Sequence, residues 1–133
     1  MASLFSRIVA GEIPAHKIAE DDRFLAFLDI FPLTVGHTLV IPKEETDYIF
    51  DLTPELLGDL HRFSQRVAVA IRATIPCKRV GVAVAGLEVP HAHIHLIPIH
   101  SIADINFSRP KLELSQDQLA ETARQIRARM LQG

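Results

Sequence analysis

Cysteine is nearly missing: Cys77 is the only one in the chain, which rules out an intramolecular disulfide and any cysteine-rich zinc module. A reducing compartment suits such a chain, and a cytoplasmic location is expected. Tryptophan is absent, and six glycines and eight prolines in 133 residues are too few for a collagen-like repeat or a low-complexity linker. No uncharged run approaches the roughly 18 residues a membrane span requires. The N-terminal Met1-Ala2-Ser3-Leu4-Phe5-Ser6-Arg7 lacks the apolar core of a signal peptide. Positive charge is not in excess either. Lys and Arg number 14 against 16 Asp and Glu, a formal charge of −2, so no basic field exists to hold a nucleic-acid backbone. What is present is a chain that is 48% apolar and 23% charged, of a length suited to one compact domain over residues 1–133. Seven histidines stand out, three of them at alternate positions within five residues.

Leu4, Phe5, Ile8 and Val9 recur at helical spacing and stop at Gly11, which predicts a short helix over 3–10. Ala15–Glu20 and Arg23–Ile30 flank Asp21-Asp22 as the arms of a hairpin, and His37–Pro42 reads as a third strand closed by proline. Thr53 caps a long helix at Pro54–Ala73: Pro54 has no N–H to lose in the first turn, and Leu56, Leu60, Phe63, Val67 and Ala70 form its buried stripe. Lys78–Ala85 and Pro90–His100 supply two further strands. Ser115 with Gln118 forms a capping box opening a terminal helix to about Leu131. Strands joined mostly by hairpins argue an α+β fold around an antiparallel sheet.

Chemistry concentrates in His91-Ala92-His93-Ile94-His95. On a strand, alternate side chains share a face, so the three imidazoles lie about 7 Å apart on one side, with Ala92, Ile94 and Leu96 on the other. Three polar rings on one face need partners, which makes structural coincidence a poor account of them. Two chemistries use such an array. Alternate histidines chelate a transition metal, with His37 as a further ligand and Glu88 or Asp29 as the orienting carboxylate. Alternatively, one ring attacks phosphorus while others donate to its charged oxygens, and no metal is needed.

His91-Ala92-His93-Ile94-His95-Leu96-Ile97 resembles the signature of the histidine triad superfamily, in which histidines alternate with apolar residues. Gly11-Glu12-Ile13-Pro14-Ala15, Ala26-Phe27-Leu28-Asp29-Ile30 and Gly36-His37-Thr38-Leu39-Val40-Ile41-Pro42-Lys43 are similar to the family's N-terminal blocks in order and spacing. Together these blocks cover about the first hundred residues, leaving 101–133 as a C-terminal extension.

The resemblance implies a five-stranded antiparallel sheet with a long central helix and short N- and C-terminal helices, assembled as a homodimer. It implies a nucleotide hydrolase or nucleotidyl transferase acting at the α-phosphorus of a nucleoside phosphoramidate or dinucleoside polyphosphate, with a purine nucleotide such as AMP as partner and no cofactor. His93 would be the nucleophile, its ring held by the carbonyl of His91. His95 and His37 would contact phosphate oxygens, and Asp29 the ribose hydroxyls. Phe5, Ile8, Ile13, Phe27 and Ile30 would enclose the base. Glu88 stands where relatives place a proton-handling hydroxyl, and would act as a general acid or orient His91 or His93. Where many bacterial relatives place zinc-binding Cys-x-x-Cys and a later histidine, this chain has Ser3, Ser6 and Glu45, so no zinc is expected. A metal-dependent hydrolase using the same histidines, or a nucleotide-binding module with little catalysis, remain as alternatives.

Overall fold

The computed structural model describes residues 2–130. Helix α1 (Leu4–Val9) begins where the Ser3 hydroxyl accepts the Ser6 N–H. Strands β1 (Lys17–Glu20) and β2 (Phe24–Leu28) form the hairpin, whose turn is closed by Asp21 Oδ1 accepting the N–H groups of Arg23 and Phe24 at 2.9 and 2.8 Å. After β3 (Thr38–Pro42), Thr53 caps α2 (Pro54–Thr74) through the Leu56 N–H. Strands β4 (Arg79–Ala83) and β5 (Ile94–Ile99) follow. Ser115 and Gln118 then exchange reciprocal bonds of 2.8 and 3.1 Å to open α3 (Gln116–Met130). The expected end of this helix, Leu131, lies outside the described residues. Among the described residues no helix is long and apolar enough to cross a membrane.

The sheet is five-stranded and antiparallel throughout, in the order β1-β2-β3-β5-β4. Its two faces are used differently. On one, Phe24, Ala26, Leu28, Val40, Ile94 and Leu96 pack with Leu60, Phe63, Val67 and Ile71 of α2 and Leu119, Ala123 and Ile126 of α3. On the other, Leu25, Phe27, Leu39 and Ile41 pack against Phe5 and Ile8 of the small α1, with Ile13, Ala15 and Val89 at its margin. This thinly covered face carries the histidines.

The fifth strand starts later than its alternation predicts, at Ile94 rather than Pro90. Pairing with β3 opens at Val40 opposite Ile94. Ahead of that point the backbone bonds elsewhere: Ala92 N–H donates to the Thr46 carbonyl at 2.7 Å and His91 N–H to Val89 at 2.8 Å. His91 and His93 thus sit on an extended approach to the strand and not on the strand itself. The alternation survives, since Ala92 packs in the α2 core while the rings of His91 and His93 lie edge-on to Phe5 at 5.9 and 5.1 Å.

Candidate active site

His95 lies opposite Leu39 across the β3–β5 ladder, which brings the ring of His37, two residues before Leu39, to its diagonal. His37, His91, His93 and His95 are all buried, and buried polar rings need partners. Among the described residues no buried side-chain nitrogen or oxygen lacks one. The partners fix where each proton sits.

The Leu33 N–H donates to His37 Nδ1 at 3.0 Å, so the proton of that neutral ring is on Nε2. His37 Nε2–H then donates to His95 Nδ1 at 2.9 Å, which leaves His95 with a proton on its own Nε2. A second relay runs beside it. His91 Nε2–H donates to the Pro42 carbonyl at 2.7 Å, and the Ser3 hydroxyl donates to His91 Nδ1 at 2.8 Å. His93 Nδ1–H donates to the His91 carbonyl at 2.7 Å, leaving Nε2 of His93 unprotonated. The site therefore presents a nitrogen lone pair on His93 next to an N–H donor on His95, with ring centroids 4.9 Å apart.

Burial sets the charge states. Desolvation, helped by the His95 ring and by Lys111, pushes His37 down to about 3. Desolvation and the neighbouring His93 push His95 down to about 4. His91 is lowered by burial, against the opposing pull of the Pro42 carbonyl and of Glu45. Asp29 is raised by burial, with Glu88 adding to the effect, against the Phe31 N–H that its Oδ1 accepts at 2.9 Å.

A cavity of about 220 Å³ opens between α1 and the sheet, lined by Phe5, Ile8, Ile13, Phe27, Asp29, Ile30, Glu88, His93 and His95. A smaller one, about 170 Å³, is bordered by Leu87, Glu88, Phe107 and the same two histidines. The structure thus gathers every sequence-derived candidate into one cavity except His91 and His37. His37, the other expected phosphate contact, lines neither cavity. It is 1% exposed, both its ring nitrogens are engaged within the protein, and it meets the cavity lining through its bond to His95 and through Asp29, whose Oδ2 lies 3.7 Å from its Nε2. No described hydrogen bond joins Glu88 to the ring of His91 or His93; those of His91 go to Ser3, Ser6 and Pro42, and that of His93 to the His91 carbonyl.

Phe107 was not among the candidates. Its ring meets His95 edge-on at 4.8 Å, yet it belongs to the aperiodic stretch after β5, where no pattern marks it. Nearby, Lys111 donates from Nζ to the Phe107 carbonyl.

Asp29, His37 and His95 bring ligand atoms within 4.8 Å of one another, as a metal site requires. Their proton inventory does not suit one. His37 Nδ1 already accepts the Leu33 N–H, so Nε2 could ligate only by surrendering its proton and making the ring an anion.

The HIT-domain family model matches residues 10–102, more than half of the chain. This chain belongs to the HIT family. The HIT proteins it resembles include the uncharacterized HIT-like protein Rv1262c of Mycobacterium tuberculosis, 44% identical over 103 residues that cover 74% of this chain and 72% of that one. Adenosine 5'-monophosphoramidase HNT1 of Saccharomyces cerevisiae is 38% identical over 98 residues, 73% of this chain and 62% of the yeast protein. Among solved structures, a zinc-bound histidine triad family protein from Mycobacterium smegmatis superposes with a TM-score of 0.81 at 34% identity, covering 99% of this chain and 95% of that one. The fold is that of the family, a group of nucleotide-binding hydrolases and transferases.

Proposed function

We propose that this HIT protein is a cytoplasmic nucleotide hydrolase or nucleotidyl transferase that attacks the α-phosphorus of a purine nucleoside phosphoramidate through His93. The observation that carries this reading is the His93 tautomer: Nδ1–H is committed to the His91 carbonyl, so the Nε2 lone pair is available at a ring lining both cavities. Nε2 forms a bond to phosphorus as the P–N bond breaks, and the leaving nitrogen takes a proton from solvent and departs as the neutral amine. Water then attacks the nucleotidyl-histidine, releasing the nucleoside monophosphate and restoring the free ring. The Nε2–H of His95 donates to a phosphate oxygen, where charge accumulates. Asp29 accepts from the ribose, and Phe5, Ile8, Ile13, Phe27 and Ile30 enclose the base.

An amine suits the leaving-group side better than a polyphosphate. Glu88 borders both cavities, and a carboxylate there attracts an ammonium and repels a polyphosphate chain. HNT1, a relative, is itself a phosphoramidase.

Replacing His93 by Asn is expected to lower turnover of adenosine 5'-phosphoramidate at least about a thousand-fold, a scale set by losing a covalent route. AMP affinity should be retained. Rapid quench of the wild type with labelled substrate should trap an acid-labile nucleotidyl-protein. Near-normal turnover by the Asn variant would refute the assignment, and tight AMP binding with no intermediate would favour a binding module.

A further inference from the structure

Helix α1 is joined to the segment before β5 by a closed set of hydrogen bonds that takes no direct part in the proposed reaction. Glu45, in the loop after β3, accepts through Oε1 from the Ser3 backbone N–H at 2.6 Å and from the Ser6 hydroxyl at 2.7 Å. Ser3 Oγ accepts the Ser6 backbone N–H at 3.0 Å and donates to His91 Nδ1 at 2.8 Å. The direction of that last bond is fixed, because the proton of His91 is spent on the Pro42 carbonyl. Ser3 and His91 are buried, whereas Glu45 is exposed at the rim.

These residues stand where the family resemblance places structural zinc ligands, and they do not fit that ion. Two neutral hydroxyls replace thiolates, while the His91 Nδ1 lone pair and a Glu45 oxygen already serve as hydrogen-bond acceptors. The two hydroxyls, the Ser3 and Ser6 N–H groups, Glu45 Oε1 and His91 Nδ1 are all partnered within the group.

We infer that Ser3, Ser6 and Glu45 are positioning residues, a metal-independent clasp that holds His91 in its Nε2–H tautomer and through its carbonyl sets the ring of His93. The kinetic consequence rests on the reading of His93 as nucleophile; the hydrogen-bond relay does not. The clasp also carries α1, whose Phe5 lies 5.1 Å edge-on to His93 and lines the larger cavity. One device therefore places both the base-side wall and the attacking ring.

The test compares the full-length wild type with Ser3→Ala, Glu45→Ala and the hydroxyl-preserving Ser3→Thr. Ser3→Ala also removes a helix cap, so Glu45→Ala, at an exposed position, is the variant that keeps the question open if the first unfolds. Three readouts are taken: kcat and KM for adenosine 5'-phosphoramidate, the 15N resonances of the histidine rings, and metal content with activity after chelation. The alanine variants are expected to lose about ten-fold in kcat, as small misplacements of reacting groups do, with KM changed far less. They should shift the Nδ1 resonance of His91 and broaden or shift those of His93, and Ser3→Thr should restore most of the rate. Wild-type activity should be indifferent to chelators.

Unaltered ring resonances and kcat in folded Ser3→Ala and Glu45→Ala would overturn the clasp. So would one zinc per chain whose removal abolishes activity. An active His93→Asn variant would remove the nucleophile assignment alone, leaving the clasp to be judged on the nitrogen spectra.

Discussion

His37 and His95 are held neutral mainly because burial strips water from a charged imidazole and each ring lies beside another histidine, which outweighs the Asp29 carboxylate 3.7 Å from His37 Nε2. Their folded-state values of about 3 and about 4 lie below the ordinary 6.5 of an unfolded histidine. As pH falls through 6.5 the unfolded chain takes up protons that the native site refuses, so stability is complete above that value and declines below it. The loss levels off only near pH 3 to 4, where the native rings protonate as well. At pH 5 this amounts to about 2 kcal/mol per ring, at 1.36 kcal/mol per unit, less whatever the coupled pair shares. Thermal melts from pH 7 to 5 should show the decline, and a His37→Asn variant, weaker at pH 7, should show a flatter profile. A flat wild-type profile would contradict the neutral relay. That His37 bonds to the ring of His95 was hidden from the sequence. The direction of its proton depends on the Leu33 N–H meeting Nδ1, a contact four residues back that only the folded loop creates.

At the scale of elements, the caps and stripes made most of the fold legible. Thr53-Pro54 opens α2 and Ser115 with Gln118 opens α3 as their chemistry dictates. The start of β5 was not legible, because a period of two persists through His91 and His93 while the ladder bonds that define a strand do not. Phe107 was invisible for a related reason: a side chain recruited by a loop leaves no periodic trace.

The turn that delivers His37 to β3 is exacting. Gly36 has φ +93°, and a Cβ there would lie 2.8 Å from Ile75 Cγ1 and 3.2 Å from Pro98 Cγ. Gly36→Ala should therefore cost about 2–3 kcal/mol, combining backbone strain with a clash, and should slow turnover by displacing the His37–His95 bond. Gly11 at φ +80° has nothing within 4 Å of such a Cβ, so Gly11→Ala should cost about 1 kcal/mol from strain alone. Denaturant melts of the two variants measure the difference, and equal losses would mean that the Ile75 contact yields freely.

For the whole molecule, the sheet ends at β4, an edge strand whose Val82 is 59% exposed, close in sequence to Val84 at 41%. Val69 on α2 adds a further exposed valine, at 66%. Open strand edges with apolar side chains invite pairing. Two copies joined along β4, extending the sheet across a two-fold axis, is the assembly we propose. Light scattering at micromolar concentration should give the mass of a dimer for the wild type and of a monomer for Val82→Asp. A monomeric wild type would end the idea.

The two sheet faces are unequally insulated, with two long helices on one and a six-residue helix on the other. A short helix is worth little on its own and depends on what it touches. Filling the cavity with a purine would extend the apolar surface that Phe5 and Ile8 rest on, so occupancy and N-terminal order are thermodynamically linked. The ligand would in effect complete the thinner half of the fold, and its departure would be felt first at the amino end of the chain.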